Sequence, residues 1–545
     1  MSRPTVWIAL TVLAFAAAAQ APPAMAQANP PAIQWGACPP PPPGIPDAGM
    51  HCGTVTVPLD YNNPNGQTID IAVSIVRAAN PATRHGVLLV NPGGPGGAGV
   101  QVPRVLETLW PQSVFATYDV VGFDPRGVDL SAPLTCGLTS AQSHRIFPTL
   151  QEPGGFEATA TFAQSIANAC ANSGSGTLPF FNTANTARDM DIIRRALGEP
   201  SISYFAFSYG TYLGAVYASL YPNHTDRFVL DSNVDPSWVW RQQYLNWGPG
   251  GQVRWPDFAN YAAANDATYG FGSKPAQVAA TFERLIAELD ATPIPMPALF
   301  ADGTIMDGEL FRELTFGELE ADEDFPTLAL IWNLTIQGLG GTAATAAPQV
   351  PAAASAALDL PADNQSASGL AVTCNDAAAS RNVAQYQAQY TAYGAAYPLF
   401  GSLGSNIWPC AFWAFKPIEP PVPITSAGPS HNILLLQNLR DEATFYPGVL
   451  QMHADLGQRS LLVTVDEGGH GIYGFSTNTC VIDITTTYLT TGVMPGQDTY
   501  CPAQPAAASA AAPLAPRVPQ QASAQDHARA YLSRQMNPAR RSLPQ

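Results

Sequence analysis

A serine stands at the junction of an apolar strand-like stretch and a helix-like stretch, a position at which acyl-transfer nucleophiles occur. Residues 206–210 read AFSYG and place Ser208 between the stretches 202–207 and 209–220. A sharp turn at such a junction exposes the serine hydroxyl. Ala206 stands where glycine is usual in this turn. A serine at a helix start also serves as an ordinary N-cap, so this pentapeptide alone leaves both roles open.

A glycine-rich loop upstream can supply the hydrogen-bond donors that such a nucleophile needs. Residues 91–97 read NPGGPGG and directly follow the strand-like stretch 86–90. Acyl transfer needs backbone N–H groups aimed at the oxyanion, one from the loop after an early strand and one from the residue after the nucleophile. We predict that the N–H groups of Gly94 and Tyr209 form this oxyanion hole. Nucleotide binding is disfavoured, because neither phosphate-binding glycine pattern is present.

The acid and the base of a catalytic triad should follow the serine in chain order, each in a loop after a strand. The strand-like stretch 432–437 leads to Asp441, and the stretch 460–465 leads to His470, which lies between glycines. Loop position favours Asp441 as the acid and His470 as the base. Two carboxylates nearer to the histidine in sequence are competing candidates: Asp466 and Glu467.

The segments that position these residues alternate between strand-like and helix-like patterns. Four short apolar runs before residue 232 are separated by helix-length stretches, which is typical of parallel, buried strands. Residues 238–423 are richer in alanine and helix-like, and the strand pattern resumes after them. We therefore predict an α/β fold with a mostly parallel central sheet and an inserted, mainly helical cap.

The two ends of the chain differ from its body in composition. An apolar run followed by the small-x-small motif AMA at 24–26 indicates a signal peptide, and the Ala/Pro-rich region after Cys501 indicates disorder. The predicted segments are a signal peptide (1–26), a proline-rich arm (27–52), the first part of the α/β core (53–237), the helical cap (238–423), the second part of the core (424–501) and a disordered tail (502–545).

Composition limits the partners of the chain. A net charge of −17 with 12% charged residues argues against nucleic-acid binding, which needs basic surfaces. No apolar stretch is long enough for stable membrane insertion, and the oligomeric state is not determined by sequence. No cofactor is needed for a triad, and no metal site is predicted, since the cysteines lack zinc-ligand spacing.

The cysteines are even in number, as expected for an exported chain with disulfides. They fall into four pairs of sequence neighbours, and we predict neighbour pairing, although sequence alone leaves other pairings open. The pairs are Cys38 with Cys52, Cys136 with Cys170, Cys374 with Cys410, and Cys480 with Cys501.

Five motifs together resemble the secreted tripeptidyl aminopeptidases, which are related to prolyl aminopeptidases. The resemblance covers roughly residues 53–501 and implies the α/β-hydrolase fold, a serine peptidase, a helical cap over the active site and a disulfide that closes the segment 480–501. The chain departs from the family at Ala206 and at Asp129. The motifs are 91–96 (NPGGPG), 121–127 (VGFDPRG), 208–211 (SYGT), 435–438 (LLQN) with Asp441, and 468–471 (GGHG).

An aminopeptidase of this kind acts on peptide substrates with a free N-terminus, and it must bind their ammonium group. Carboxylates in the cap are the natural counterions, so we predict the amine site among the acidic residues there. An esterase on the same scaffold is the alternative, because the same triad cleaves either bond. The candidates are Glu318, Glu320, Asp322, Glu323, Asp324 and Asp376.

Overall fold

The computed structural model of the chain describes residues 31–143, 146–147, 152, 154–173, 176–297, 299–300, 303–341, 360–504 and 522–537. The predicted signal peptide lies outside the described residues. The strands are β1 (Gln34–Gly36), β2 (His51–Pro58), β3 (Thr68–Val76), β4 (Gly86–Asn91), β5 (Tyr118–Phe123), β6 (Ile202–Phe207), β7 (Thr225–Asp231), β8 (Ile294–Pro295), β9 (Ile305–Met306), β10 (Ile433–Arg440), β11 (Ser460–Gly468) and β12 (Thr499–Cys501).

Ten of these strands form one sheet in the order β1-β2-β3-β5-β4-β6-β7-β10-β11-β12. The first three strands and the contact of β3 with β5 are antiparallel, whereas every pairing from β5 to β12 is parallel. The mostly parallel sheet predicted from the apolar runs is confirmed. Its last strands, β10 to β12, come from sequence beyond the long insertion.

The parallel strands are buried on both faces, and this explains their continuous apolar sequences. In β4, Val87 and Leu89 pack into one hydrophobic core while Leu88 and Val90 pack into the core on the opposite face. Successive side chains of a strand point to opposite sides, so each parallel strand supplies both layers. Helices cover both faces of the sheet and complete these cores.

The helices are α1 (Val102–Leu109), α2 (Gln112–Thr117), α3 (Ser140–Ser143), α4 (Phe156–Ser173), α5 (Thr183–Ala196), α6 (Tyr209–Leu220), α7 (Arg241–Leu245), α8 (Trp247–Ala264), α9 (Asp266–Tyr269), α10 (Pro275–Ala291), α11 (Gly308–Gly317), α12 (Phe325–Leu339), α13 (Asn364–Asp376), α14 (Val383–Ala396), α15 (Pro447–Leu456), α16 (Thr479–Thr491) and α17 (Ala524–Met536). Within the described ranges, none of them has both the length and the apolar composition needed to cross a bilayer.

The insertion between β7 and β10 packs in two different ways. Helices α8, α10, α11 and α12 enclose a core of their own around Trp332, whose ring lies 5.4 Å from that of Phe282. Helix α13 instead contributes Leu370 and Cys374 to one of the two cores beside the main sheet. One part of the insertion therefore has an independent core, and another part extends the core of the α/β body.

Four disulfides join the cysteines in the neighbour pairing predicted above. They link Cys38 to Cys52, Cys136 to Cys170, Cys374 to Cys410, and Cys480 to Cys501. The first ties the proline-rich arm to β2, and the last joins the start of α16 to β12. Each bridge closes a short loop, and such bridges stabilise a fold chiefly by restricting the unfolded chain.

The expectation of disorder throughout 502–545 is wrong for the segment that forms α17. Ser523 caps this helix in a reciprocal capping box with Asp526. Ala528, Leu532 and Met536 are spaced four residues apart and are buried beside α1 in the core of the α/β body. A single apolar stripe is sufficient to dock a helix against a body that already has a core. Residues 505–521 and 538–545 lie outside the described residues.

Candidate active site

The loops that carry the predicted site residues leave the sheet at one edge. Carboxyl ends of neighbouring parallel strands meet at the same edge, and ligands of open α/β sheets bind there. The glycine-rich loop follows β4, Ser208 follows β6, Asp441 follows β10 and His470 follows β11. The fold therefore brings together residues that are up to 379 positions apart, since the loop and the histidine come from opposite ends of the domain.

Ser208 lies on a strained turn between β6 and α6. Its backbone has φ 55° and ψ −127°, a conformation that an L-residue adopts only when its surroundings enforce it. The N–H of Ser208 donates to the carbonyl of Asp231 at 3.0 Å. A side chain on Gly210 would lie 2.7 Å from the methyl group of Ala206, so the alanine is accommodated because residue 210 is glycine.

The glycine-rich loop lies directly beside this turn. A side chain on Gly93 would approach the carbonyl oxygen of Phe207 to 2.7 Å, so only glycine permits the contact. The side chain of Asn91 accepts the N–H of Gly93 at 2.9 Å and holds the loop. Gly94 and Tyr209 line one cavity with Ser208. Among the described residues, no acceptor is paired with the N–H of either Gly94 or Tyr209.

His470 and Asp441 form a buried pair at the end of β10 and β11. Nδ1 of His470 lies 3.1 Å from each carboxylate oxygen of Asp441. Thr444 donates its N–H and its hydroxyl to the same carboxylate at 2.7 and 2.8 Å, and Gln437 donates at 3.2 Å. The carboxylate is thus held by several donors, and His470 faces the cavity that contains Ser208.

The charges around His470 favour its protonated form. Burial alone lowers the pKa of the imidazole, but the negative charge and the hydrogen bond of Asp441, followed by the charges of Glu320 and Glu442, outweigh burial. The net result raises the pKa of His470 to about 9. An imidazole beside several carboxylates is stabilised as the imidazolium, which is the form that it takes after accepting a proton.

Asp231 holds the loop that carries His470. Its carboxylate accepts the N–H groups of Ile472 and Tyr473 at 3.1 and 2.8 Å. The hydroxyl of the adjacent Ser232 accepts the N–H of Gly471 at 2.8 Å. No local sequence pattern indicates this role of Asp231, since its partners lie more than two hundred residues later in the chain.

Two cavities meet at His470. The smaller, about 50 Å³, contains Ser208 and is lined by Trp240, Trp247 and Phe316 among other residues. The larger, about 340 Å³, lies between the acidic segment after α11 and helix α17. Glu320 borders both cavities, and its carbonyl accepts the N–H of His470 at 2.8 Å, so this residue lies where the two cavities meet.

The structure separates the candidates for amine binding. Glu318, Glu320, Glu323 and Asp324 line the larger cavity with His470. Asp322 lies in the same run but is paired with Arg254 at 2.5 Å, and 70% of its side chain is exposed. The run therefore has a cavity side and a solvent side, and the prediction for Asp322 is not supported by its position.

Asp376 lies away from both cavities. Its carboxylate accepts the N–H and the hydroxyl of Thr183 at 2.7 and 2.6 Å and the indole N–H of Trp240 at 3.1 Å. Burial raises the pKa of Asp376 to about 6, against the hydrogen bonds of Thr183. Asp376 is one of the residues predicted to bind an amine, and in the structure its carboxylate accepts hydrogen bonds from an internal network.

Glu442, next to Asp441, was not singled out from the sequence. It is fully buried, and neither of its carboxylate oxygens has a hydrogen-bond partner among the described residues. Burial, and next the negative charge of Asp441, raise the pKa of Glu442 to about 8. No local pattern reveals such a group, because its burial results from contacts with distant helix α8.

The fold and the site are those of a serine hydrolase of the α/β-hydrolase class. A family model described as alpha/beta hydrolase fold matches residues 86–306, and one described as TAP-like protein matches residues 397–501. The chain is 35% identical to a tripeptidyl aminopeptidase of Streptomyces lividans over 467 residues, covering 83% of each chain. It therefore belongs to the tripeptidyl aminopeptidase family, whose members are serine peptidases.

More distant relatives have other names. The chain is 28% identical to the serine protease Hip1 of Mycobacterium bovis, covering 83% of this chain and 87% of that one. It is also 28% identical to a protein named carboxylesterase B of Mycobacterium tuberculosis, covering 83% and 86%. Peptidase and esterase names thus both occur among the relatives, and the higher identity is to the peptidase from Streptomyces.

Proposed function

We propose that the protein is an exported aminopeptidase that releases tripeptides, or single N-terminal residues, from peptides with a free amino end. The observation that supports this most directly is the position of Glu320, which borders both the cavity of Ser208 and the larger cavity. Glu320 is only 4% exposed, and its carboxylate accepts hydrogen bonds from Ser533 and Asn537. The ammonium group of a bound peptide offers the same kind of donor together with a positive charge, which a buried carboxylate favours.

In the proposed mechanism, Ser208 attacks the carbonyl carbon of the scissile peptide bond while Nε2 of His470 accepts its proton. Asp441 holds Nδ1–H of the imidazole and stabilises the imidazolium that results. The N–H groups of Gly94 and Tyr209 donate to the oxyanion of the tetrahedral intermediate. Fixed donors in a buried site stabilise this developing charge more than water does, since they need no reorientation.

The second half of the reaction uses the same groups. The imidazolium of His470 donates its proton to the leaving amine, and the acyl-enzyme forms on Ser208. A water molecule then attacks the ester carbonyl, and His470 accepts a proton from it. Collapse of the second intermediate releases the short peptide and restores the serine hydroxyl.

Export is supported by two independent features. The four disulfides fit an oxidising compartment, and the sequence of residues 1–26 has the pattern of a cleaved signal peptide. We propose that the mature chain acts outside the cytoplasm, either secreted or in a periplasm. Purification from the culture medium and N-terminal sequencing test this, because a start at Gln27 is expected.

The assignment is tested with a pair of tripeptidyl-aminocoumarin substrates, one with a free amino end and one acetylated. We expect hydrolysis that depends on Ser208 and prefers the free amine. Glu320→Gln should reduce kcat/KM for the free-amine substrate by about a hundredfold, because a buried charge partner is lost. Asp322→Asn is the matched control, since that carboxylate lies in the same run but faces solvent.

An esterase would give a different pattern. Equal rates of hydrolysis of the two coumarin substrates would show that the enzyme does not recognise the substrate amine. Hydrolysis of short-chain esters without hydrolysis of either peptide substrate would assign the protein to the esterases. This alternative is considered because one relative is named carboxylesterase B. In either case Ser208→Ala should abolish activity, because the serine is shared by both mechanisms.

A further inference from the structure

Helix α17 reaches the active site at its C-terminal end. Leu532 and Met536 pack into the core beside α1, and the side chain of Gln535 accepts the N–H of Ala98 at 2.9 Å. A side chain on Gly97 would lie 2.8 Å from the backbone carbonyl oxygen of Gln535, so only glycine permits this close approach. The helix is therefore packed against the end of the same loop that carries Gly94.

The end of the helix also donates hydrogen bonds to the carboxylate of Glu320, which is proposed to bind the substrate amine. The hydroxyl of Ser533 donates to one oxygen of Glu320 at 3.0 Å, and the side-chain amide of Asn537 donates to the other at 2.6 Å. An ammonium group would offer N–H donors to the same two oxygens. Substrate amine and the helix end are therefore alternative partners of one carboxylate.

The space beside Ser208 is small while the helix is in this position. Met536 and Asn537 line the cavity of about 50 Å³ that contains the serine. Sites for drug-sized ligands typically occupy about 300–1,000 Å³, several times the volume of this cavity. A peptide residue bound beside Ser208 therefore needs more room than the cavity offers while the helix is in this position.

From these contacts we propose that α17 and Asn537 form an internal blocker of the amine site. The segment takes the place of the substrate N-terminus and must leave Glu320 before a peptide can bind. This inference rests on the proposed function, because it assumes that Glu320 receives the substrate amine. The apparent affinity for substrate is then the intrinsic affinity multiplied by the fraction of molecules in which the site is open.

The blocker is tested first in the full chain with the double variant Ser533→Ala/Asn537→Ala. Losing two hydrogen bonds to a carboxylate should increase the open fraction by about tenfold. We expect KM for the free-amine tripeptidyl-aminocoumarin to fall by that factor with kcat unchanged. Gln525→Ala is the control, since it removes an exposed contact with Thr108 at the other end of the same helix.

A second measurement does not depend on peptide turnover. The rate at which a bulky fluorophosphonate labels Ser208 should rise by a similar factor in the double variant and rise further in a chain that ends at Gln504. Circular dichroism and thermal melting establish whether the shortened chain folds. If it does not fold, the double variant decides the question through both readouts.

Opposite results would overturn the inference. Unchanged KM and labelling rate in the double variant, or slower labelling in a folded shortened chain, would mean that α17 is a fixed part of the active site and does not block substrate binding. Failure of the proposed function has another signature: no peptide is hydrolysed by any variant, although esters are. The labelling rates still decide in that case whether the helix blocks Ser208.

Discussion

Two groups of buried carboxylates, one at Asp376 and one around His470, differ in how their charge is accommodated. Asp376 is held by three donors from Thr183 and Trp240. Around His470, Asp441 is equally well held, Glu442 has no hydrogen-bond partner among the described residues, and Glu320 is held by Ser533 of α17 and by Asn537. Thr183 and Trp240 complete the first group, whereas the second group contains one carboxylate without such a partner and one whose donors come from the C-terminal helix segment.

The two groups should respond very differently to the same substitution of aspartate by asparagine. Asp441→Asn should lower kcat by about 10⁴-fold, because an amide cannot hold the imidazole in the tautomer that accepts the serine proton. Asp376→Asn should leave kcat within a fewfold of the original. Stopped-time assays on the free-amine coumarin substrate measure both, and a large loss in Asp376→Asn would contradict the separation of the two groups.

The next effect concerns stability. Asp376→Asn places an NH₂ group among donors, and we expect the free energy of unfolding to fall by about 1–3 kcal/mol, the usual cost of an unsatisfied buried group. Urea unfolding followed by tryptophan fluorescence measures the loss. Equal stability of the variant would show that the network around Thr183 tolerates either side chain.

The charge around His470 should be visible in the pH profile. The neutral imidazole is the active base, and its pKa is raised to about 9, so kcat/KM should increase with pH and level off above that value. Glu320→Gln removes one negative charge, which lowers the pKa of His470 and moves the midpoint to lower pH. Acetylated substrate is used here so that amine binding does not contribute. A midpoint unchanged in Glu320→Gln would argue against this coupling.

A second effect on stability concerns Glu442. Its pKa is raised from 4.5 to about 8, so the folded protein holds a proton that the unfolded chain releases, and its contribution to stability decreases as pH rises through that interval. Glu442→Gln keeps the shape without the ionisation. The decrease in melting temperature between pH 5 and pH 8 should therefore be smaller in the variant, and an identical decrease would contradict the raised pKa.

The parts of the fold that depend on local pattern could be predicted from sequence. Apolar runs between helix-length stretches indicate the parallel strands, and the placement of Ser208, Asp441 and His470 after strands follows from that pattern. Partners supplied by distant segments could not be predicted. Asp322 and Glu320 are two residues apart, yet Asp322 pairs with Arg254 and Glu320 borders the cavity; the backbone changes from extended at Ala321 to a short helical turn that begins at Asp322.

Helix α17 is different, since its signals were present in the sequence. Ser523 and Asp526 have the spacing of a capping box, and Ala528, Leu532 and Met536 recur every fourth residue. The Ala/Pro-rich composition around the segment masks the capping box and the apolar spacing. A short amphipathic segment can therefore form a docked helix even where its flanks have low-complexity composition.

The order of strands along the chain has a consequence for the newly made protein. Asp231 bonds to Tyr473, 242 residues later, and β10 and β11 join the sheet only after the long insertion has been made. Contacts of such large sequence separation form late and slowly in folding. A chain that emerges from its N-terminus onward therefore carries the serine long before it carries the acid and the base. The proposed triad is therefore incomplete until β11 has joined the sheet, so a partly synthesised chain is expected to lack peptidase activity.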